Sequence, residues 1–324
     1  MSLLFLATTH RVAPGLLSWR AWEALRSATR VLTADGHPLL PYLREAEIPV
    51  EVTAPDARLL LDSASSERVV WVAGPSGDEE LMRAVGALVV GSDDPVEVEV
   101  LHGSYDLPGA RLLDLVSVME TLRRECPWDR KQTHATLAPY LIEEAYEVVD
   151  TIESGDLHAL REELGDVLLQ VAFHSVVASE RDDETGFAID DVAAAIVDKL
   201  VRRHPHVFAA VQVSGADEVI TNWEDIKAAE RADKNGGAAS VFDGVPMGQP
   251  ALSLAAQLQR RAARAGAPDD VFAGRAGLGA ELFALVRRAR EEGLDPEAEL
   301  RAEAREFRAH VESWADDETP DESH

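Results

Sequence analysis

The chain lacks what a disulfide-stapled secreted protein needs: Cys126 is the one cysteine among 324 residues, so no intrachain bridge can form. It also lacks any run of the ~18–20 apolar residues that a membrane-spanning helix requires. The opening Met1-Ser-Leu-Leu-Phe-Leu-Ala-Thr-Thr9 is apolar but has no basic flank and runs at once into His10 and Arg11. That fits a first β-strand better than a signal peptide, and the cytoplasm is the expected compartment. Basic residues are scarce, 31 against 59 acidic, for a formal charge of -28. Proteins that wrap nucleic acid or lie on anionic lipid need the opposite balance, so neither a nucleic-acid polymer nor a membrane is an expected partner. An anionic substrate would have to meet a local basic island or bound cations.

What is present is an ordinary globular composition, 46% apolar and 28% charged, long enough for two or three modest domains. The pattern reads as α+β and multidomain. Residues 1–111 form a small α/β domain, with short β-rich runs at Leu3–Ala7, Val50–Thr53, Val69–Val72 and Val96–Leu101. Helical patterns fall between them at Trp19–Thr29 and Glu79–Val89. From Leu112 a 3.6-residue period takes over, predicting helices at 112–124, 136–153, 157–180, 189–202 and 216–231 within an all-α domain spanning 112–232. Residues 233–250, with four glycines and two prolines, read as a linker. A second helical region is expected at 251–315, followed by a disordered acidic tail at 316–324.

The chemistry concentrates in Leu141-Ile-Glu-Glu-Ala-Tyr-Glu-Val-Val-Asp150 and the helix that follows it. Leu141, Ala145, Val148 and Ile152 make one apolar stripe; Leu160, Leu164, Val167, Leu168 and Val171 make the next. Glu144 and Glu147 lie three apart beside the first stripe, with Glu143 adjacent, and Glu163 and Asp166 lie three apart beside the second. Gly155 can take the positive φ that ends a helix. In an antiparallel hairpin centred there, Glu144 stands level with Asp166 and Glu147 with Glu163, roughly 12–16 Å from the turn. The near-twofold symmetry of a hairpin makes the two acidic flanks either both converge or both diverge. Divergence leaves a solvated acidic face. Convergence demands cations, because four or five carboxylates in contact cannot all stay ionised alone. All-oxygen ligands suit Mg²⁺, or Mn²⁺ as a substitute, rather than zinc. Such a cage serves phosphoanhydride hydrolysis.

A basic island complements it at Lys199-Leu-Val-Arg-Arg-His-Pro-His-Val-Phe208, where Lys199 and Arg203 lie four apart and can reach one polyphosphate or balance the end of a helix dipole. His204 and His206 read as packing or capping residues rather than metal ligands. Trp128 and Trp223 are either base-stacking or core residues.

Five ordered blocks between Leu115 and Ala232 together resemble the MazG-type nucleoside triphosphate pyrophosphohydrolases: Cys126-Pro-Trp-Asp-Arg-Lys-Gln-Thr-His134, Glu143-Glu-Ala-Tyr-Glu147, Glu163-Leu-Gly-Asp166, Lys199–Phe208 and Asn222-Trp-Glu-Asp-Ile-Lys227. The resemblance implies an all-α bundle, usually a homodimer. Glu144, Glu147, Glu163 and Asp166 would be its Mg²⁺ ligands, with Glu143 nearby. Lys199, Arg203, Trp223, Trp128 and Lys227 would be its substrate contacts. It further implies water attack at the α-phosphorus, giving a nucleoside monophosphate and pyrophosphate, in nucleotide-pool house-cleaning. Competing readings are a dUTP or nucleoside-diphosphate hydrolase on a related bundle, and a helical interaction module without catalysis. Gly277-Leu-Gly-Ala280 echoes Glu163-Leu-Gly-Asp166 without its acids, so the last region reads as a degenerate copy without catalysis. The first hundred residues look like a worn fragment of a tetrapyrrole methyltransferase-type domain, with no activity assigned.

Overall fold

Two apolar runs organise the first part of the chain. Leu3–Leu6 and Val69–Val72 are buried on both faces, as strands inside a parallel sheet must be. The computed structural model describes residues 1–318 except 76, 93–94, 210, 212, 216–217, 220–221, 224–225, 228, 231–239 and 273–275. Five parallel strands, β1 (Ser2–Ala7), β2 (Arg30–Thr33), β3 (Glu51–Val52), β4 (Arg68–Val72) and β5 (Glu97–His102), pair in the order β3-β2-β4-β1-β5. Leu4, Leu6, Val70 and Val72 face α1 (Trp19–Ser27) and α2 (Leu40–Glu45), packing on Leu25 and Leu43. Leu3, Phe5, Val69 and Trp71 face α3 (Ala57–Ala64) and α4 (Glu79–Val90), packing on Leu60 and Val85. The result is a three-layer sandwich, as period-2 alternation dictates. At the carboxyl ends of its strands, Thr8, His37 and Pro75 help line a cavity of only about 30 Å³.

The expected β-runs and the helices at 19–29 and 79–89 appear with shifted ends, but β2, α2 and α3 had no clear signal in the sequence. Each is short. Four to eight residues carry too little periodicity to be read until the sheet supplies their burial.

The helical part opens with α5 (Arg111–Glu125), then a 3₁₀ turn at Asp129–Lys131, α6 (His134–Ser154), α7 (Leu157–Ser179), α8 (Ile189–Arg203) and the short α9 (Pro205–Phe208). α6 begins at a capping box: the Thr133 hydroxyl accepts from Thr136 N–H, and the Thr136 hydroxyl accepts from Thr133 N–H at 2.8 Å. It ends at Gly155, whose φ of 74° needs no Cβ-free space but does need glycine's left-handed freedom. Asp156 caps α7, accepting from His158 N–H at 2.9 Å and Ala159 N–H at 3.1 Å.

The chain divides into two compact units, Met1–Ile196 and Val197–His324. The sheet and the α6–α7 hairpin share the first. In the second, the described residues of the expected 216–231 helix (218–219, 222–223, 226–227 and 229–230) are helical. Residues 233–239 of the expected linker lie outside the described residues, and turns follow from 241. The last region resolves into α10 (Ala251–Arg264), α11 (Leu278–Glu291) and α12 (Pro296–Glu318). Residues 319–324 of the expected tail lie outside the described residues. Gly277 stands at the N-cap of α11 with φ 104°, whereas Glu163 sits inside α7, so the two echoing segments occupy different places on their helices.

A charged latch ties the sheet to α5. Arg11 donates to both oxygens of Asp114 at 2.7 Å and also pairs with Asp106, while Arg111 and His10 reach Asp114 at 2.9 Å and 2.8 Å. The hydrogen-bonded Arg11 guanidinium, helped by Arg111, holds the Asp114 carboxyl well below the usual range. A carboxyl depressed on folding stabilises the fold above its unfolded value, ~pH 4, and loses that contribution as pH falls through the folded value. Asp114→Asn is therefore expected to unfold at lower urea than wild type at pH 6, the two midpoints drawing together toward pH 3. Parallel curves across that range would remove the latch from the stability of the fold.

Candidate active site

The hairpin brings the acids together. Carboxylate oxygens of Glu144, Glu163 and Asp166, one from each, all lie within 4.8 Å of one another. The three side chains are partly buried, while Glu143 and Glu147 are exposed. Burial raises the Glu144 pKa most, followed by a hydrogen bond with Glu147 and by the charges of Asp166, Glu147 and Glu143. Glu163 is raised by burial, then by the charges of Glu147, Asp166 and Glu162 and a hydrogen bond with Glu147. Glu147, itself exposed, thus acts on both Glu144 and Glu163 in the same sense. The cluster has no intrinsic counter-charge in these interactions, and every neighbour acts in the same unfavourable sense. A hard divalent cation fits the donor set, which is oxygen alone.

The far end of the hairpin holds this arrangement in place. Met119 of α5, Leu137 of α6, and Ala172 and Phe173 of α7 form a small core. Arg123 of α5 donates to Glu180 at 2.6 and 2.8 Å, to Gln132 O at 3.0 Å and to Asp129 O. That fork fastens the turn before α6 to the residue that ends α7. Trp128 lies edge-on to Tyr140 at 6.0 Å and to Phe173 at 6.3 Å. It is half exposed and sits over Tyr140, one helical turn before Glu144.

Part of each apolar stripe beside the acids stays exposed among the described residues. Leu164 is 51% and Ile152 59% exposed, and Leu141 and Leu168 are also exposed. Sequence periodicity marked these positions as apolar faces; it could not tell an internal core from an external one.

The remaining sequence-derived candidates lie in the second unit. Lys199 is exposed on α8. Arg203 is largely buried and paired with Glu230 at 2.5 Å, and Arg202 meets the same carboxylate at 2.8 Å. The guanidinium of Arg203 lies 6.0 Å from the centre of the Trp223 ring, and His204 packs edge-on to that ring at 4.6 Å. The His204 ring also bonds Leu200 O at 2.7 Å, and His204 and His206 have their rings 5.7 Å apart. Lys227 is partly buried. Hydrogen bonding to Arg203 pulls the Glu230 pKa down to about 2. Glu230 had no place in the sequence-derived site, although its position three residues beyond Lys227 on a helical pattern was a signal.

A second unanticipated pair is His134 and His174. Their Nδ1 atoms are 2.8 Å apart and their rings stack with an interplanar angle of 2°. Burial, then the His134 charge, lowers the His174 pKa, and its Nε2 is buried without a hydrogen-bond partner among the described residues. No short motif marks two histidines forty residues apart; only the hairpin register brings them level.

Comparison with known proteins agrees with this geometry. The family model for the MazG nucleotide pyrophosphohydrolase domain matches residues 132–208, from the α6 capping segment through α9. An uncharacterized 26.1 kDa protein of Streptomyces cacaoi is 48% identical over 238 residues, 73% of this chain and 96% of that one. A nucleoside triphosphate pyrophosphohydrolase of Mycolicibacterium smegmatis is 38% identical over 245 residues, 76% of this chain and 70% of the relative. A nucleoside triphosphate pyrophosphohydrolase/pyrophosphatase MazG of Thermotoga maritima is 38% identical over 217 residues, 60% of this chain and 81% of the relative. On the carboxylate hairpin, the domain match and relatives of this coverage, the chain belongs to the MazG nucleotide pyrophosphohydrolase family.

Proposed function

We propose that this protein hydrolyses nucleoside triphosphates, deoxy forms included, to the monophosphate and pyrophosphate, with Glu144, Glu147, Glu163 and Asp166 holding Mg²⁺ and Mn²⁺ as a substitute. One observation carries the reading: three carboxylates from two helices meet within 4.8 Å, and their mutual repulsion and burial leave Glu144 and Glu163 reluctant to ionise without a cation. A divalent ion bound there would neutralise phosphoryl oxygens and activate a water for attack. The chain's own part is to fix the ligand positions by the hairpin register. Glu143, exposed beside Glu144, is the residue available to take a proton from the attacking water. The α-phosphorus as the point of attack follows the family activity. Lys199, Arg203, Trp223, Trp128 and Lys227 as substrate contacts rest on the family motifs.

We further read the uncovered stripes on α6 and α7 as the contact of a homodimer, since solvent-exposed leucines in helical register demand an apolar partner. Clearing damaged or surplus triphosphates from the cytoplasmic pool is the role that such an activity would serve.

The assay is pyrophosphate release from a panel of triphosphates with and without Mg²⁺. Glu144→Gln and Asp166→Asn are each expected to lower turnover about a hundredfold or more, with helicity retained. Wild-type turnover in both would end the metal assignment, and orthophosphate as the product would favour a different phosphohydrolase.

Removing one of the repelling charges also has a structural consequence. Glu144→Gln is expected to melt higher than wild type without metal, yet to lose the Mg²⁺-induced rise. In wild type, Mg²⁺ at a hundred times its dissociation constant should add about 2.7 kcal/mol. A variant that melts lower than wild type in metal-free buffer would contradict the electrostatic account. For the dimer, sedimentation of Leu164→Glu/Leu168→Glu should show half the wild-type mass, and an unchanged mass would place the contact elsewhere.

A further inference from the structure

Two helices of the second unit depart from the acidic balance of the chain. α10 carries Arg260, Arg261 and Arg264 and no acidic residue, and α11 ends in Arg287, Arg288 and Arg290. Most of these cations are engaged. Arg261 donates to the carbonyls of Val241 and Asp243 at 3.2 and 2.6 Å. Arg287 pairs with Glu291 at 2.8 Å, and Arg288 lies 3.9 Å from Glu292. Arg260 and Arg290 stand apart, with no ion pair among the described residues, and both line one cavity of about 410 Å³.

We propose that this cavity is a non-catalytic site for a phosphate-bearing anion, with Arg260 and Arg290 as its two cationic contacts. The site is built rather than incidental. Arg290 Nη1 donates to Gln259 Oε1 at 3.3 Å. Gln259 is fully buried and anchored in turn by donating to Phe283 O at 2.7 Å. The guanidinium is thus pre-positioned, which reduces the ordering cost of binding. Ser253, Gln249 and Gln257 add polar groups to the wall. Two carboxylates at or beside the wall are already engaged: Asp295 caps α12, accepting from Glu297 N–H at 2.9 Å and Ala298 N–H at 3.3 Å, and Glu297 accepts from Ser253 N–H at 3.2 Å and from its hydroxyl at 3.4 Å.

The electrostatics agree with the geometry. Burial disfavours the Arg290 charge, and so do Arg260, Arg264 and Arg287; Glu291 is the one carboxylate opposing them. An anion between Arg260 and Arg290 would relieve both effects at once. Planar guanidiniums suit phosphate oxygens bidentately. The volume admits pyrophosphate with water, or the phosphate tail of a nucleotide. These are two sources of one chemistry.

The inference stands independently of the carboxylate site, and the test keeps them separate. Isothermal titration of the full chain is made in buffer stripped of divalent ions on a chelating resin, where the hydrolase cannot turn over. Inorganic pyrophosphate, ATP and adenosine are the three probes. Wild type should bind pyrophosphate or ATP and not adenosine; tighter pyrophosphate binding identifies the free anion, tighter ATP binding the nucleotide. Arg260→Glu and the milder Arg260→Gln, at an exposed position, should weaken binding about tenfold or more. Both should keep the melting temperature and the Mg²⁺-dependent turnover of wild type at saturating substrate. Glu144→Gln should bind as wild type does. Absence of binding in wild type would overturn the proposal. So would equal affinity in both Arg260 variants, or loss of binding in Lys199→Gln with retention in Arg260→Glu, which would move the anion to α8.

Discussion

The site depends on one constraint, the register of the α6–α7 hairpin. Gly155 adopts the left-handed conformation that ends α6, and Asp156 caps the start of α7 directly after it. With no slack between the helices, the position of every side chain along one fixes its opposite on the other. Glu144 and Asp166 come level because the turn is where it is. A residue inserted at Ser154 would rotate one flank by ~100° and carry its carboxylates away from the others. The small core around Leu137 and Phe173 and the Arg123 fork fasten the opposite end. The acids therefore sit between two anchored ends, where neither burial nor solvent alone decides their spacing.

That placement is electrostatically unfavourable in the bare chain, and the competing forces can be ranked. For Glu144 and Glu163 alike, burial is the largest influence and carboxylate neighbours supply the rest. Nothing in these interactions offsets them. Asp114, with two guanidiniums, shows the contrast: its carboxyl is depressed by Arg11 and Arg111 rather than raised. The same residue class is thus used in opposite ways within one unit. Asp114 serves the fold with cations from the chain; the acids clustered on the hairpin have none in these interactions among the described residues.

Much of this was legible in the sequence because helical spacing is a local property. Three-residue separations of acids and a glycine between two periodic segments are enough to infer the hairpin and its levels. The rest depended on partners far along the chain. Glu230 captures Arg202 and Arg203 from twenty-seven and more residues away, converting a stretch that looked free for phosphate into an ion-paired one. His134 and His174 meet only because the hairpin is closed. The strand β2 is too short to announce itself and is fixed by pairing with β3 and β4. Leu164 and Ile152 were legible as apolar and illegible as exposed, since periodicity reports a face and not what lies against it.

The distribution of charge gives the last step. A formal balance of -28 describes the chain as a whole, but uncompensated charge is local and takes both signs. On the hairpin it is a group of acids without a cation. In the second unit it is Arg260 and Arg290, lining one cavity with no ion pair of their own among the described residues. Both arrangements hold like charges together at a cost to the fold, and in both a small ion of the opposite sign would relieve it. A random surface would disperse such groups or pair them, as Arg287 and Arg288 are paired with Glu291 and Glu292. The retained like-charge clusters are therefore the places where the proposed ligands fit, a cation at one and an anion at the other, and one electrostatic argument supports both.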